Sequence, residues 1–311
     1  MLQALKAIDY SSLPISEYSR QYIQRMLPNM QYYLGIYRRS IDLMIKEIGR
    51  KPSEITMVDY GGGHGFLSMT AKQMGIGRVI YVDINPKAVE AVKILSKESG
   101  LPPDHIVQGD ANTLRRWCEE NGITPHALIG MDVIEHIYKL EDFFYDIYAI
   151  NPSIFMLFTT GSTPFNPIVK RRLHKIMRKD ENGCYRRLRS EFIKQHYPTM
   201  PNQKVTYWGE HTRGMTYPDI LKAIENNKPQ EGIDKYNTCD PATGNWTERI
   251  LPIKRYKALL KPYNATVVVQ KGIYNRYRRG LKGQISVLTN LLLRLPFTRW
   301  IAPYITLKIT V

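Results

Sequence analysis

Residues 57–65 read MVDYGGGHG, and this stretch decides the fold. It predicts a buried strand that runs into a glycine-rich turn and then into a helix. Asp59 closes the strand, and Gly61, Gly63 and Gly65 alternate through the turn. Glycine allows the backbone to adopt positive φ there and leaves room for a ligand to approach the main chain. The stretch therefore indicates a ligand-binding turn at the carboxyl end of a strand.

The glycine spacing distinguishes between classes of cofactor. A nicotinamide fingerprint needs G-x-G-x-x-G, but its third glycine would fall on Phe66 or Ser68 in this chain. The pattern present is Asp-x-Gly-x-Gly-x-Gly. A second acidic residue, Asp83, ends the next apolar run (RVIYVD, residues 78–83), about twenty residues further on, where such folds hold a ribose. The pattern resembles motif I of the class I S-adenosylmethionine-dependent methyltransferases.

The following elements keep step with that family. Asn85-Pro86 is a natural helix start, and an apolar helical pattern covers residues 86–98. A short strand at 104–108 leads to Asp110, and an apolar run at 127–131 ends in DVIEH, residues 132–136. The DVIEH segment resembles the signature of ubiquinone-biosynthesis-type and related small-molecule methyltransferases, the methyltransferase type 11/23 branch. A single acid after a strand most often forms a turn or caps a helix. Three acids that each end a successive strand are much less likely to occur by chance, which favours a binding role.

The predicted fold class is α/β, with a doubly wound, seven-stranded, mostly parallel sheet of the Rossmann-like methyltransferase type. The last strand, residues 304–311, is expected to be antiparallel. We expect an N-terminal helical segment at 1–50 and a methyltransferase domain at 51–311. A basic helical insertion is predicted at about 161–205 and a polar loop at about 227–249. The apolar run from Ile285 to Leu295 is too short to span a bilayer and predicts a crossover helix, with a membrane-dipping hairpin as the alternative.

The resemblance implies a set of site residues. S-adenosyl-L-methionine is the expected cofactor, and Asp110 is expected to face its adenine amino group. The residues expected to contact this cofactor are Asp59, Gly61, Gly63, Gly65, Asp83, Ile84, Asp110, Ala111 and Asp132. Methyl transfer to a hydroxyl also needs a proton acceptor, and His136 and His211 are the candidates.

A magnesium site is a second possibility that the resemblance implies. Some relatives, including small-RNA 2′-O-methyltransferases, bind Mg²⁺ through an E-x-x-E-H segment and a later histidine. The corresponding residues here are Asp132, Glu135, His136 and His211, with Asp where the motif has Glu. Two histidines are also atypical ligands for a hard cation. The alternative is that Glu135 and His136 cap the following helix and position the substrate loop.

The charge of the chain is concentrated in two stretches. The net charge is +16, while residues 170–194 carry ten Lys or Arg against three acids, and residues 249–311 carry thirteen and no acid. Such a basic face fits an anionic membrane surface, an acidic glycan or nucleic acid, although charge runs often only face water. A membrane-surface element is predicted in the basic insertion. Three widely spaced cysteines and no leader pattern favour a cytoplasmic protein, peripheral to a membrane at most.

The favoured function is methyl transfer from S-adenosylmethionine to a small or lipid-linked acceptor, with O-methylation preferred. An RNA methyltransferase is the first alternative because of the basic face. No N-P-P-Y-type tetrapeptide follows the fourth predicted strand, and no separate RNA-binding module is visible, so nucleic acid is the less favoured partner. A cofactor-binding scaffold without catalysis is the second alternative.

Overall fold

The computed structural model describes residues 1–229 and 235–311, so five residues of the predicted polar loop at 227–249 lie outside the described residues. The described chain forms one seven-stranded sheet in the order β3-β2-β1-β4-β5-β7-β6. Its strands are β1 (Thr56–Tyr60), β2 (Arg78–Asp83), β3 (His105–Gln108), β4 (Ala127–Met131), β5 (Phe155–Thr160), β6 (Thr266–Lys271) and β7 (Ile305–Thr310).

Helices connect and cover these strands. They are α1 (Leu2–Ala7), α2 (Glu17–Met26), α3 (Met30–Ile48), α4 (Phe66–Gln73), α5 (Pro86–Glu98), α6 (Ala111–Asn121), α7 (Leu140–Ile150), α8 (Pro167–Asp180), α9 (Arg186–His196), α10 (Asn202–His211), α11 (Tyr217–Glu225), α12 (Ile253–Leu260) and α13 (Leu281–Leu292). A π-helical turn, Glu181–Tyr185, joins α8 to α9.

The strand directions confirm the predicted fold class. Strands β1 to β5 pair in parallel, whereas β7 is antiparallel to both β5 and β6. The sheet therefore has the Rossmann-like methyltransferase topology, with an antiparallel last strand, N-terminal helices and a basic helical segment after β5. The strand order reverses between β1 and β4, and ligands of open α/β sheets bind at the carboxyl ends of the strands at such a point.

Alternating side chains of the central strands build two cores. Met57 and Leu157 face the layer that contains α3 and α4. Val58 and Phe158 face the layer that contains α6, α7 and α12. Strands buried on both faces read as continuous apolar runs, which explains why β1 and β5 carry so few polar residues. The cleft is thus held by a sheet that is covered on both sides.

The helix starts follow the capping signals in the sequence. The Asn85 side chain accepts a hydrogen bond from the Lys87 main-chain N–H, and Pro86 occupies the first position of α5. The side chain of Asn166 caps α8 in the same way, again with proline at the first position. These caps satisfy main-chain donors that the first helical turn leaves without partners.

The segment from α8 to α11 forms a helical layer of its own beside the sheet. Its small core contains Ile193, Val205, Trp208 and Ile220. Most of its basic residues are exposed, but Arg189 is completely buried. Within the described part of the chain, no helix has the length and apolar character needed to cross a membrane.

Candidate active site

The glycine-rich turn after β1 requires glycine for two reasons. Gly61, Gly63 and Gly65 have φ of +66°, +53° and +77°, a region that side chains with a Cβ rarely adopt. A Cβ on Gly61 would lie 2.3 Å from Cγ2 of Val133, and a Cβ on Gly65 would lie 2.2 Å from Cγ2 of Val92. At Gly63, by contrast, no atom lies within 4 Å of that position. The turn is closely packed on two sides and open at Gly63.

Asp59 supports this turn from inside the protein. Its Oδ2 accepts hydrogen bonds from the Ser68 main-chain N–H at 2.9 Å and from the Ser68 hydroxyl at 2.6 Å. The side chain is 1% exposed, and burial raises the pKa of Asp59 to about 7. Asp59 does not line the cleft. The predicted contact with a cofactor is therefore corrected to a positioning role, because both bonds hold the first turn of α4 against β1.

A cavity of about 580 Å³ opens at the carboxyl ends of β1, β2 and β4. This size is within the usual range for a small-molecule site. Seven of the predicted site residues line it: Gly61, Asp83, Ile84, Asp110, Ala111, Asp132 and His136. The structure thus brings together residues that lie up to 75 positions apart in the chain, as parallel strands ending at one edge should.

Asp83 fixes the turn and still faces the cavity. Its Oδ2 accepts a hydrogen bond from the Gly63 N–H, and its Oδ1 accepts one from the Asn85 N–H, both at 2.8 Å. Burial raises the pKa of Asp83, against the lowering effect of these two bonds. Each carboxylate oxygen has a second lone pair, so the side chain can accept further hydrogen bonds from a ligand.

Asp110 caps α6 with only one of its two oxygens. Oδ1 accepts hydrogen bonds from the Thr113 N–H at 2.9 Å and from the Thr113 hydroxyl at 3.0 Å. The residue is exposed and lines the cavity, so its other oxygen can accept from a bound ligand. Asp110 can therefore cap the helix with one oxygen and bind a ligand with the other.

Asp132 occupies an unusual backbone position at the floor of the cleft. Its φ is +50°, which is rare for a residue other than glycine, and its Oδ1 accepts a hydrogen bond from the Gly161 N–H at 3.2 Å. The side chain is exposed to solvent in the cleft, but the cleft walls exclude most of the surrounding water. That enclosure raises the pKa of Asp132 to about 6, and the charge of Glu248 adds to the rise. Strain at such a position often accompanies a functional role.

Two further carboxyl groups lie beside Asp132. Glu135 is 2% exposed; its Oε1 accepts a hydrogen bond from the Thr160 hydroxyl at 2.6 Å, and its Oε2 has no partner among the described residues. Burial, followed by the charge of Asp132, raises the pKa of Glu135 well above its ordinary value. Glu248 accepts a hydrogen bond from the Ser162 hydroxyl at 2.8 Å. Burial of Glu135 thus favours the neutral form of its carboxyl group.

His136 lines the cavity with a defined tautomer. Its Nδ1 lies 2.6 Å from the main-chain oxygen of Trp246. Because a carbonyl oxygen only accepts hydrogen bonds, Nδ1 carries the hydrogen, and Nε2 of the neutral ring has a free lone pair. This arrangement is that of a general base held by a main-chain acceptor.

The structure does not support a catalytic or metal-binding role for His211. The residue is exposed at the end of α10; its Nδ1 lies 2.8 Å from the Tyr207 main-chain oxygen, and its ring stacks on Tyr207 at 4.0 Å. It does not line the cavity. Among residues 1–229 and 235–311, no three His, Cys, Asp or Glu side chains are grouped so that they could hold a metal ion. The predicted set of Asp132, Glu135, His136 and His211 is therefore not assembled as a metal site.

The N-terminal helices cover the glycine-rich turn. The ring of Tyr22 on α2 stacks on His64 with centroids 4.5 Å apart. His64 is 4% exposed, neither of its ring nitrogens has a partner among the described residues, and burial lowers its pKa to about 4. A neutral histidine with two unpaired nitrogens beside an open turn is a position where a polar ligand could supply the missing partner.

Several residues of the site were not predicted. Tyr60 lines the cavity and packs edge-on against Phe143. Residues 243–245, in the predicted polar loop, close another side of the cavity, and a Cβ on Gly244 would lie 2.7 Å from the Tyr138 ring. The positive φ of Gly244 gives no distinct sequence signal beyond the glycine itself. Such loop residues can be assigned to the site only once the fold is known.

Comparison with known proteins gives a consistent but partial picture. No family model matches the chain. The ribosomal protein L11 methyltransferase of Alteromonas mediterranea is 28% identical over 121 residues, which are 32% of this chain and 40% of that protein. The protein of the same name from Burkholderia mallei is 46% identical over 55 residues, 16% of this chain and 18% of that protein. The chain thus spans less than half the length of these two curated relatives.

Solved structures also include similar chains. A SAM-dependent methyltransferase from Archaeoglobus fulgidus is aligned over 93% of this chain and 98% of its own length, with 11% identity and a TM-score of 0.43. One from Aquifex aeolicus is aligned over 38% of this chain and 62% of its own, with 17% identity and a TM-score of 0.31.

Proposed function

We propose that this chain is a methyltransferase that uses S-adenosylmethionine and methylates a hydroxyl group of a small or lipid-linked acceptor. The observation that carries the proposal is the arrangement in one cavity of Gly61, Asp83 and Asp110, with Nε2 of His136 available as a base. The curated relatives are methyltransferases by name, which supports the same class of activity.

The residues present fit the cofactor. Asp83 retains acceptor capacity for the two hydroxyls of a ribose, and Asp110 retains an acceptor oxygen for an adenine amino group. Ile84 lies between them in the chain, 64% exposed, and provides an apolar surface for a purine ring. Open space beside Gly63 and the unpaired nitrogens of His64, on the same turn as Gly61, support a place for the polar methionine groups at this turn. When bound, the cofactor supplies an already activated methyl group.

Because the methyl donor is already activated, the residues of the chain need to provide only three functions. They bring the acceptor into line, exclude water and remove a proton from its hydroxyl. His136 serves the last task because its Nδ1–H is committed to the Trp246 oxygen, which leaves Nε2 as the only ring position that can take a proton. Asp132 lines the same cavity as His136. No step requires a metal ion.

The proposal of a hydroxyl acceptor rests on this base. The name of the curated relatives refers to a ribosomal protein, but the matched segments cover a third of this chain or less. A hydroxyl acceptor needs a proton acceptor in the transition state, and an imidazole with a free ring nitrogen is suited to that role.

Calorimetry with S-adenosylmethionine and its demethylated product S-adenosylhomocysteine tests the proposal on the full chain. We expect the unmodified chain to bind both compounds and Asp110→Asn to bind them on the order of 10- to 100-fold more weakly. Asparagine preserves the helix cap but presents an N–H group where the carboxylate has an acceptor.

Glu98→Gln is the matched control, since Glu98 is an exposed carboxylate at the end of α5 and remote from the cavity lining. It should bind like the unmodified chain. Absence of binding in the unmodified chain would overturn the proposal. Binding without methyl transfer to any component of a cell extract would instead identify a cofactor-binding scaffold.

A further inference from the structure

The connection from β6 to β7 lies at the same edge of the sheet as the cleft. Strand β6 runs parallel to β5, because both are antiparallel to β7. Ile305 at the start of β7 pairs with both Lys271 and Thr160, and the Thr160 hydroxyl bonds to Glu135 of the site. Residues 272–304 therefore leave and re-enter the sheet on the side of the candidate active site.

Helix α13, within this connection, packs its polar side against the protein and exposes its apolar side. Its small and polar residues face the protein: Gly283 and Ser286 are buried, and a Cβ on Gly283 would lie 2.0 Å from the main-chain oxygen of Arg278. Asn290 exchanges two hydrogen bonds with the main chain of Tyr274, at 2.8 and 3.0 Å. The opposite stripe is apolar and 52–71% exposed, and consists of Leu281, Ile285, Leu288 and Leu292. A surface helix of a globular protein usually has the opposite arrangement, with its apolar stripe toward the core and its polar side in solvent.

Exposed apolar residues continue beyond the helix. Leu291, Leu295, Phe297 and Trp300 are 44–73% exposed. We call residues 281–300 with these side chains the C-terminal apolar surface. It is held firmly, since Lys271 Nζ bonds to the Leu295 main-chain oxygen and to Thr298, and the Tyr274 hydroxyl bonds to the Ile301 oxygen. Extended apolar surfaces of this kind usually have a partner.

The charged residues within the C-terminal apolar surface and directly before it in the chain are all of one sign. Six exposed cations lie within or directly before it: Arg276, Arg278, Arg279, Lys282, Arg294 and Arg299. No acidic residue occurs between 249 and 311, and none of the six forms an ion pair with another described residue. A second copy of this surface would bring twelve like charges together, which opposes self-association.

We propose that the C-terminal apolar surface docks onto a bilayer that contains anionic phospholipids, with α13 lying along the interface. The twelve residues of α13 are too few to span a bilayer, which takes about twenty, but an amphipathic helix with a basic border is the pattern of an interfacial element. The docked orientation directs the cleft edge of the sheet toward the lipid. This inference goes beyond the proposed reaction and does not depend on it.

The basic insertion is a weaker candidate for the same role. Its apolar residues Leu173 and Met177 on α8 and Ile193 on α9 are buried in the protein, so this segment offers mainly charge. The structure therefore favours the C-terminal apolar surface over the basic insertion, the membrane-surface element that the sequence predicted; the alternative of a membrane-dipping hairpin at 285–295 lies within the favoured surface. Helical periodicity alone does not reveal which side of a helix faces the protein.

Vesicle flotation of the full chain tests the inference. We expect the chain to float with phosphatidylcholine vesicles that contain one third phosphatidylglycerol, and to do so much less with phosphatidylcholine alone. Leu288→Glu combined with Leu292→Glu should abolish flotation, since both side chains are exposed and their replacement leaves the core intact. Arg276→Gln, Arg278→Gln and Arg279→Gln together should lower partitioning on the order of 100- to 1,000-fold.

Two further measurements distinguish lipid from other partners. Ile168→Glu, which replaces an 80% exposed residue on α8, is the matched control and should float like the unmodified chain. Trp300 is the one exposed tryptophan among the described residues, so a blue shift of emission on adding vesicles should vanish in Trp300→Phe. Unchanged flotation of the Leu288/Leu292 variant would overturn the proposal. A dimer of the unmodified chain that this variant dissociates, without vesicle binding, would assign the surface to a second copy.

Discussion

The main-chain oxygen of Trp246 lies 2.6 Å from Nδ1 of His136, although 110 residues separate them. The Trp246 ring also donates from Nε1 to the Tyr138 oxygen at 3.1 Å, and the Arg249 guanidinium stacks on that ring at 4.4 Å. The loop that carries Trp246 is thus anchored on the segment that follows His136. This reciprocal anchoring holds the imidazole in one tautomer.

Replacement of His136 should therefore affect turnover and leave cofactor binding intact. We expect His136→Ala to lower kcat by about 10²- to 10⁴-fold, the usual contribution of a general base. Affinity for S-adenosylhomocysteine should remain that of the unmodified chain. The measurement is transfer of labelled methyl groups in a cell extract, with binding determined by calorimetry on the same preparations.

His211→Ala is the control for this experiment, because His211 is exposed and bonded only within its own helix. Its activity should equal that of the unmodified chain. Equal losses in the two variants would contradict the assignment of His136 as the base.

Asp59 gives the chain a pH-dependent stability. Its ordinary pKa of 3.8 is raised to about 7 in the folded protein. Between those values the unfolded chain has lost the Asp59 proton while the folded chain retains it, so the contribution of Asp59 to the free energy of unfolding falls as pH rises. The fall is about 1.4 kcal/mol per pH unit within that window and ends above pH 7.

Urea denaturation of the unmodified chain and of Asp59→Asn at pH 5, 6, 7 and 8 measures this effect. Asparagine stays neutral, so the stability of the variant relative to the unmodified chain should increase from pH 5 to pH 7 and then level off. A constant difference across that range would show that the Asp59 carboxyl is already ionised at pH 5.

The fold was predictable because its signals are local. A glycine-rich turn, an acid at each strand end and helix caps such as Asn85 are each read within about ten residues, and parallel strands bring the acids together automatically. His136 could be named for the same reason. Glu248 and Trp246 could not, since they reach the site through a loop with no periodic pattern and their contacts depend on its final path.

Helix α13 illustrates a different limit of the sequence. Its position between the last two strands was predicted, but the sequence did not predict which side of the helix faces the protein. Gly283 and Asn290 fix that side: Gly283 lies close to a main-chain oxygen, and Asn290 forms a pair of main-chain hydrogen bonds. A small or polar residue in an apolar helix is not recognisable as the contact face before the fold is known.

The contact between Gly65 and Val92 predicts a partial rescue. Gly65→Ala should destabilise the fold through two effects: strain at φ +77°, about 1 to 2 kcal/mol, and collision of the new Cβ with Val92. In the double variant Gly65→Ala, Val92→Ala the collision is removed and only the strain and the lost valine contacts remain. The double variant should therefore lose less stability than the two single variants predict by addition. Thermal unfolding of all four chains measures the coupling, and strict additivity would count against the contact.

One arginine of the basic stretch at 170–194 serves the fold and not the surface. Arg189 is completely buried and bonds to both oxygens of Glu181, at 2.5 and 3.1 Å, and to the Gly209 oxygen at 3.0 Å. Although burial would raise it, the Arg189 guanidinium and the neighbouring Arg213 hold the pKa of Glu181 below its ordinary value. Arg189→Met should cost about 3 kcal/mol, because it removes the bidentate partner of a buried carboxylate and leaves Arg213, 3.4 Å away, as the remaining cationic neighbour.

Glu181→Gln combined with Arg189→Met should recover much of that loss, since glutamine carries no charge and its oxygen can still accept from the Thr238 hydroxyl. Arg187→Met is the matched control: Arg187 pairs with Glu191 on the exposed face of α9, and its loss should leave the unfolding midpoint in urea almost unchanged. If Arg187→Met were as damaging as Arg189→Met, the two arginines would have equivalent roles. An Arg189→Met variant as stable as the unmodified chain would instead show that the Arg189–Glu181 ion pair does not stabilise the fold. Loss of the main partner of a buried carboxylate is otherwise costly.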